Sequence, residues 1–110
     1  MHYFDEYEQL VNDTAIYPNR GSNIVYPALG LCGEAGEVAE KIKKVLRDQD
    51  GVLNDETREA IVKEMGDVIW YLVALSKEIG TNINHVIDVN RKKLIGRRER
   101  GTLQGSGDDR

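Results

Sequence analysis

The chain has 110 residues, of which 40% are hydrophobic and 31% are charged, so we expect one globular domain rather than a disordered segment. The formal net charge of −4 argues against a general nucleic-acid binder, because non-specific affinity for nucleic acid comes from neutralising phosphates. The single cysteine excludes a disulfide within the chain. No apolar run approaches the roughly 18 residues of a membrane span, and the N-terminus lacks signal-peptide features, so we expect a small soluble cytoplasmic protein without a membrane partner.

The spacing of apolar residues predicts four helices and no strand, hence an all-α fold in one domain over residues 1–110. The helices are predicted over residues 3–14, from near Pro27 to Arg47, from Asn54 or Asp55 to Ile79, and from Thr81 or Asn82 to near Arg100. Pro27 suits a first helical turn, and Gly80 suits a C-terminal cap. Residues 101–110 are expected to form either an ordered loop or a flexible tail.

The third predicted helix carries an unusual apolar segment, residues 68–75 (VIWYLVAL). A helix that is apolar on every side finds too few partners inside a chain of this length. It is either fully central within one chain or part of an interface between copies. We favour the interface, most simply that of a symmetric dimer.

Two similar acidic segments lie on the second and third helices. Glu34 and Glu37 are three residues apart, as are Glu64 and Asp67, so each pair lies on one helix face. If the two helices pack antiparallel, the four carboxylates converge, and an all-oxygen set suits Mg²⁺ or Mn²⁺ rather than zinc. The alternative is that they are solvated acids facing nearby lysines.

Glycines accompany these acids. Gly30, Gly33 and Gly36 recur every three residues on the second helix, and Gly66 lies between the acids of the third. Since an interior glycine costs up to about 1 kcal/mol relative to alanine, we expect close approach of another helix or of a ligand.

The fourth helix ends in a basic stretch, residues 91–100. Asn90, Lys93 and Arg97 share one face of it, and an amide, an ammonium and a guanidinium suit phosphate oxygens. A basic helix end that only complements the helix dipole is the alternative. Among the aromatic residues, Tyr17 and Tyr26 are the candidates for stacking on a nucleobase, because they fall in the predicted loop.

The ordered set of Glu34, Glu37, Glu64, Asp67, Asn90 and Lys93 resembles the MazG-like nucleoside triphosphate pyrophosphohydrolases of the all-α NTP pyrophosphatase superfamily. Further likeness comes from the segments 28–44, 64–72 and 101–110. The resemblance implies a MazG-like four-helix bundle assembled as a homodimer or homotetramer, in which one subunit's tail or helix completes another's site. It implies that the four acids bind Mg²⁺, with Mn²⁺ as a substitute, and that Asn90, Lys93 and Arg97 contact phosphate.

The activity that the resemblance implies is hydrolysis of (d)NTPs to (d)NMP and pyrophosphate. A cation held by carboxylates would activate water for in-line attack at the α-phosphorus. Either Glu34 or Glu37 would act as the catalytic base that accepts the proton of this water. The alternative function is a non-catalytic helical dimerisation or adaptor protein whose acidic cluster only binds a cation.

Overall fold

A computed structural model describes residues 3–110, and within that range the chain forms four α-helices and no strand. The helices are α1 (Tyr3–Thr14), α2 (Val25–Asp48), α3 (Asp55–Glu78) and α4 (Ile83–Arg100). The all-α prediction is confirmed, and each predicted helix end lies within two residues of the observed one.

Local sequence signals explain where α3 begins and ends. Asn54 is its N-cap: the side chain accepts the N–H of Thr57 at 2.8 Å, while the Thr57 hydroxyl accepts the N–H of Asn54 at 3.0 Å. This reciprocal pair satisfies two backbone donors that the first turn leaves without partners. At the other end Gly80 takes a φ of +84°, a conformation that glycine adopts without steric cost.

Helices α2 and α3 form an antiparallel hairpin across the short connection 49–54. As residue numbers rise along α2, their neighbours on α3 fall: Gly30 lies against Tyr71, and Glu34 lies against Asp67. This arrangement brings the two acidic segments to the same level of the hairpin, as the sequence predicts.

The main core lies where α1, the C-terminal half of α3 and the start of α4 meet. Its buried members are Val11, Val73, Ala74 and Ile83. At the exposed edge of this core, the side chain of Asn84 on α4 donates a hydrogen bond to Asp5 on α1 at 2.7 Å. Helix α2 packs on α3 alone among the described helices and shares no packing contact with α4, so one chain does not close into a complete bundle.

The open arrangement leaves apolar surface exposed. The radius of gyration is 16.9 Å, against about 13 Å for a compact domain of this length. On α3, within the apolar segment and just before it, Met65 is 51%, Ile69 is 45% and Leu72 is 38% exposed. None of the helices described combines the length and the hydropathy needed to cross a membrane. The exposed apolar faces therefore mark surface that the chain's own core does not cover.

Candidate functional site

Three carboxylates converge across the α2–α3 hairpin. Oxygen atoms of Glu34 on α2 and of Glu64 and Asp67 on α3 all lie within 4.8 Å of one another. Glu34 and Glu64 are half-buried, and Asp67 is exposed. We call these three residues the acid cluster.

The fourth predicted ligand, Glu37, lies one turn along α2 from Glu34 and is exposed. It is not among the oxygens that fall within 4.8 Å of one another. It is still close enough for its charge to contribute to the raised pKa of Glu34. Glu37 therefore stands at the edge of the acid cluster rather than inside it.

The electrostatics of the acid cluster are unfavourable in the absence of a cation. Desolvation, followed by the negative charges of Asp67 and Glu64, raises the pKa of Glu34 above its ordinary value. No Lys or Arg among the described residues forms an ion pair with these acids. Carboxylates that repel one another without a cationic side chain offer an all-oxygen donor set of the kind that hard divalent cations prefer.

Gly30 allows the hairpin to close tightly near the acid cluster. A Cβ at Gly30 would overlap the ring of Tyr71, so only glycine fits this position without movement. Gly33, Gly36 and Gly66 have open space where a Cβ would stand. The expected close helix approach is therefore present at Gly30 alone of these four glycines.

Three tyrosines lie beside the acid cluster. The rings of Tyr17 and Tyr26 stack with centroids 4.9 Å apart and an interplanar angle of 10°, and the ring of Tyr26 lies 6.5 Å from that of Tyr71. Burial raises the pKa of Tyr71, with smaller contributions from Tyr26 and Glu34. The sequence pattern predicted that Tyr17 and Tyr26 both lie in a loop, which is wrong for Tyr26, because it lies in the first turn of α2. Tyr71 was not predicted, although it follows Asp67 by four residues and so shares its helix face.

Glu78 was also missed from the sequence, and it holds the loop that carries Tyr17. Its carboxylate accepts the N–H of Gly21 at 2.7 Å, the N–H of Asn23 at 3.4 Å and the hydroxyl of Tyr17 at 3.1 Å. Because hydrogen bonds to a carboxylate are stronger than neutral ones, this residue fixes the loop to α3. Gly21 lies 57 residues before Glu78, so no local sequence pattern predicts this contact.

The predicted phosphate contacts lie elsewhere in the single chain. Asn90 is exposed, whereas Lys93 and Arg97 both face Asp108. Arg97 is only 6% exposed, because the chain after α4 folds over it. No hydrogen bond or ion pair in the described part of the chain joins these three residues to the acid cluster.

Comparison with known proteins identifies a family. Residues 27–102 match the model of the MazG nucleotide pyrophosphohydrolase domain. The chain is also 43% identical to "Gene 37 protein" of Mycobacterium phage L5, over 98% of this chain and 99% of that protein. No solved structure matches the chain.

Proposed function

The chain belongs to the MazG nucleotide pyrophosphohydrolase family, and on that premise we propose that it hydrolyses ribo- or deoxyribonucleoside triphosphates to the monophosphate and pyrophosphate with Mg²⁺ as cofactor. The observation that carries the proposal is the convergence of Glu34, Glu64 and Asp67 within 4.8 Å. Mn²⁺ would substitute, because it accepts the same oxygen ligands.

The donor set fits a hard divalent cation. Glu34, Glu64 and Asp67 would hold it, and Glu37 would join through a rotamer change or through a water. Mg²⁺ bound there would neutralise charge on the phosphate oxygens and make a nearby water more acidic. Desolvation and then repulsion by Asp67 and Glu64 raise the pKa of Glu34, and the charge of the cation would offset that repulsion.

The reaction also needs a group that accepts the proton of the attacking water. Water attacks the α-phosphorus, the bond from that phosphorus to the α–β bridging oxygen breaks, and pyrophosphate leaves. The proton of the water passes to a carboxylate. Either Glu34 or Glu37 would accept it; Glu37 lies at the edge of the acid cluster, outside the three carboxylates that would hold the cation.

The nucleobase and the phosphates of the substrate require different binding surfaces. We assign the nucleobase to the tyrosines beside the acid cluster, where Tyr26 as a residue is 42% exposed and stacks on Tyr17. We assign the phosphates to Asn90, Lys93 and Arg97. Within the described chain Lys93 and Arg97 bond to the segment 107–108 and not to the acid cluster, so we propose that the three residues reach the carboxylates of a second copy, as the family resemblance implies.

A second copy would also cover the exposed apolar face. An open groove of about 330 Å³ next to the acid cluster is lined by apolar side chains alone: Ala35, Val38, Met65, Val68 and Ile69. We propose that this groove is part of a homodimer or homotetramer interface. Light scattering should then give a mass of at least twice 12.4 kDa.

A matched pair of variants tests that interface. Ile69→Glu places a charge in the groove and should yield monomer, whereas Ile16→Glu changes a loop side chain that is already 92% exposed and should leave the assembly intact. A folded wild-type monomer at micromolar concentration would contradict the proposal.

The activity is tested with a panel of (d)NTPs, following pyrophosphate release with Mg²⁺ and with EDTA. We expect release that requires the metal. Glu37→Gln and Asp67→Asn should abolish turnover while helical circular dichroism is kept, whereas Glu59→Gln, an exposed acid on the same helix as Asp67, should have little effect. No release with any nucleotide would favour the alternative, a non-catalytic adaptor.

Mixing inactive variants tests whether the site is shared. Equal amounts of Glu34→Gln and Lys93→Ala protein should exchange subunits and regain about a quarter of wild-type activity, because half of the dimers then hold one intact site of two. If both residues act within the same subunit, mixing restores nothing.

A further inference from the structure

The segment after α4, residues 101–110, is an ordered loop that closes on itself, and we call it the tail. The guanidinium of Arg110 donates to the carbonyls of Thr102 at 2.9 Å and of Gly107 at 2.7 Å. Arg100 in turn donates to the carbonyl oxygen of Arg110 at 2.7 Å. These contacts tie the end of the tail to its start and to the last turn of α4.

The tail covers two of the predicted phosphate contacts. The Asp108 carboxylate lies 3.4 Å from the ammonium of Lys93 and 3.4 Å from the guanidinium of Arg97. Arg97 also donates to the carbonyl oxygens of Asp108 at 2.7 Å and of Gly107 at 3.3 Å. These are acceptor contacts of the type that phosphate oxygens would make.

The Arg97 guanidinium is more than nine-tenths buried, yet it retains an unused donor. Its side chain is 8% exposed, and its Nε–H has no hydrogen-bond acceptor among the residues described. A buried donor without a partner is costly, so the contact between the tail and Arg97 is incomplete. An anion with more oxygens than one carboxylate would satisfy it better.

The carboxylate of Asp108 is held only by ion pairs that are open to solvent on its side. Its side chain is 85% exposed, and ion pairs at such a position are weak because water screens them. Lys93, followed by Arg97, holds the pKa of Asp108 below its ordinary value, so its carboxylate is charged at neutral pH. The tail joins α4 at Gly101, whose φ of +70° marks a sharp bend after the last helical turn.

We infer that the tail is an autoinhibitory element in which Asp108 occupies the phosphate positions at Lys93 and Arg97 and must leave before a triphosphate binds there. The inference rests on the proposed function for the identity of the substrate. It adds that the free protein holds this part of its binding surface closed with its own carboxylate.

Calorimetric titration with inorganic tripolyphosphate and Mg²⁺ tests the inference on the full chain. Asp108→Ala and the nearly isosteric Asp108→Asn should both bind about two- to fivefold more tightly than wild type, because a competing charge is gone. Asp109→Ala is the matched control: it removes the neighbouring exposed acid, which makes no ion pair with described residues, and should leave the affinity unchanged. Equal or weaker binding by both Asp108 variants would overturn the inference.

Hydrogen exchange gives an independent readout. Adding Mg²⁺–tripolyphosphate to wild type should speed amide exchange in residues 102–109, because the tail is released. Slower exchange would mean that the tail closes over the ligand and would refute autoinhibition.

These experiments distinguish failure of the tail inference from failure of the proposed hydrolase activity. If no nucleotide is hydrolysed but Asp108→Ala tightens tripolyphosphate binding, the tail inference stands and the activity does not. If hydrolysis is seen but the Asp108 variants behave like wild type, the activity stands and the tail inference fails.

Discussion

Replacing Glu34 by glutamine removes one of three carboxylates that repel one another without a metal. Two unit charges 4.8 Å apart interact by about 0.9 kcal/mol in water and by about 3.5 kcal/mol at an effective dielectric of 20. Because Asp67 is exposed and Glu34 only half-buried, solvent screens both pairs, and we expect a total near the lower limit. Glu34→Gln should therefore stabilise the metal-free protein at pH 7 by about 1–2 kcal/mol.

The pH dependence has a definite sign. The pKa of Glu34 is higher in the folded state than its ordinary value of 4.5. Between pH 4.5 and that raised pKa, the folded state therefore binds more protons than the unfolded state. Wild-type stability should consequently fall, relative to Glu34→Gln, as the pH rises from 4.5 through the raised pKa. At pH 4, where the carboxyl is protonated in the folded protein, the difference should shrink.

Thermal unfolding in EDTA at a fixed protein concentration measures the effect. For a domain of this size the gain corresponds to about 4–8 °C in Tm. Saturating Mg²⁺ should reverse the order, because a ligand at 100 times its Kd adds about 2.7 kcal/mol to a protein that binds it. A Glu34→Gln protein that melts at or below the wild-type temperature in EDTA at pH 7 would refute the repulsion argument.

Two further substitutions test contacts that position the site. Gly30→Ala should destabilise the protein by about 1–3 kcal/mol, because the added methyl overlaps Tyr71. Gly33→Ala meets open space and should stabilise the protein by up to about 1 kcal/mol through helix propensity. Equal melting temperatures of the two variants would contradict the packing. Glu78→Ala removes the acceptor of two loop N–H groups, so trypsin should cleave after Arg20 in that loop several-fold faster than in wild type, and an unchanged rate would show that the carboxylate does not hold the loop.

The helices could be read from the sequence because their signals are local. The caps Asn54 and Gly80 act within a few residues of themselves, and the apolar spacing reports which face each helix buries. The i, i+3 spacing of Glu64 and Asp67 likewise placed both carboxylates on one face of α3 before any packing was known.

The i, i+3 spacing of Glu34 and Glu37 does not predict that Glu37 lies outside the acid cluster. Both residues of the Glu34–Glu37 pair share a face of α2, but only the helix–helix packing decides which of them meets α3. The same holds for Gly30, which sequence periodicity grouped with Gly33 and Gly36 and which alone of the three contacts Tyr71.

The sequence by itself determined four helices, two acidic segments and one basic helix end, since each of these depends on residues near one another in the chain. Only the tertiary structure decided that Glu34 meets Glu64 and Asp67, that Glu78 holds a distant loop, and that Asp108 covers Lys93 and Arg97. These contacts join residues that are 11 to 61 positions apart. Their partners are chosen by how the helices cross and where the chain turns back, which no local pattern of side chains specifies.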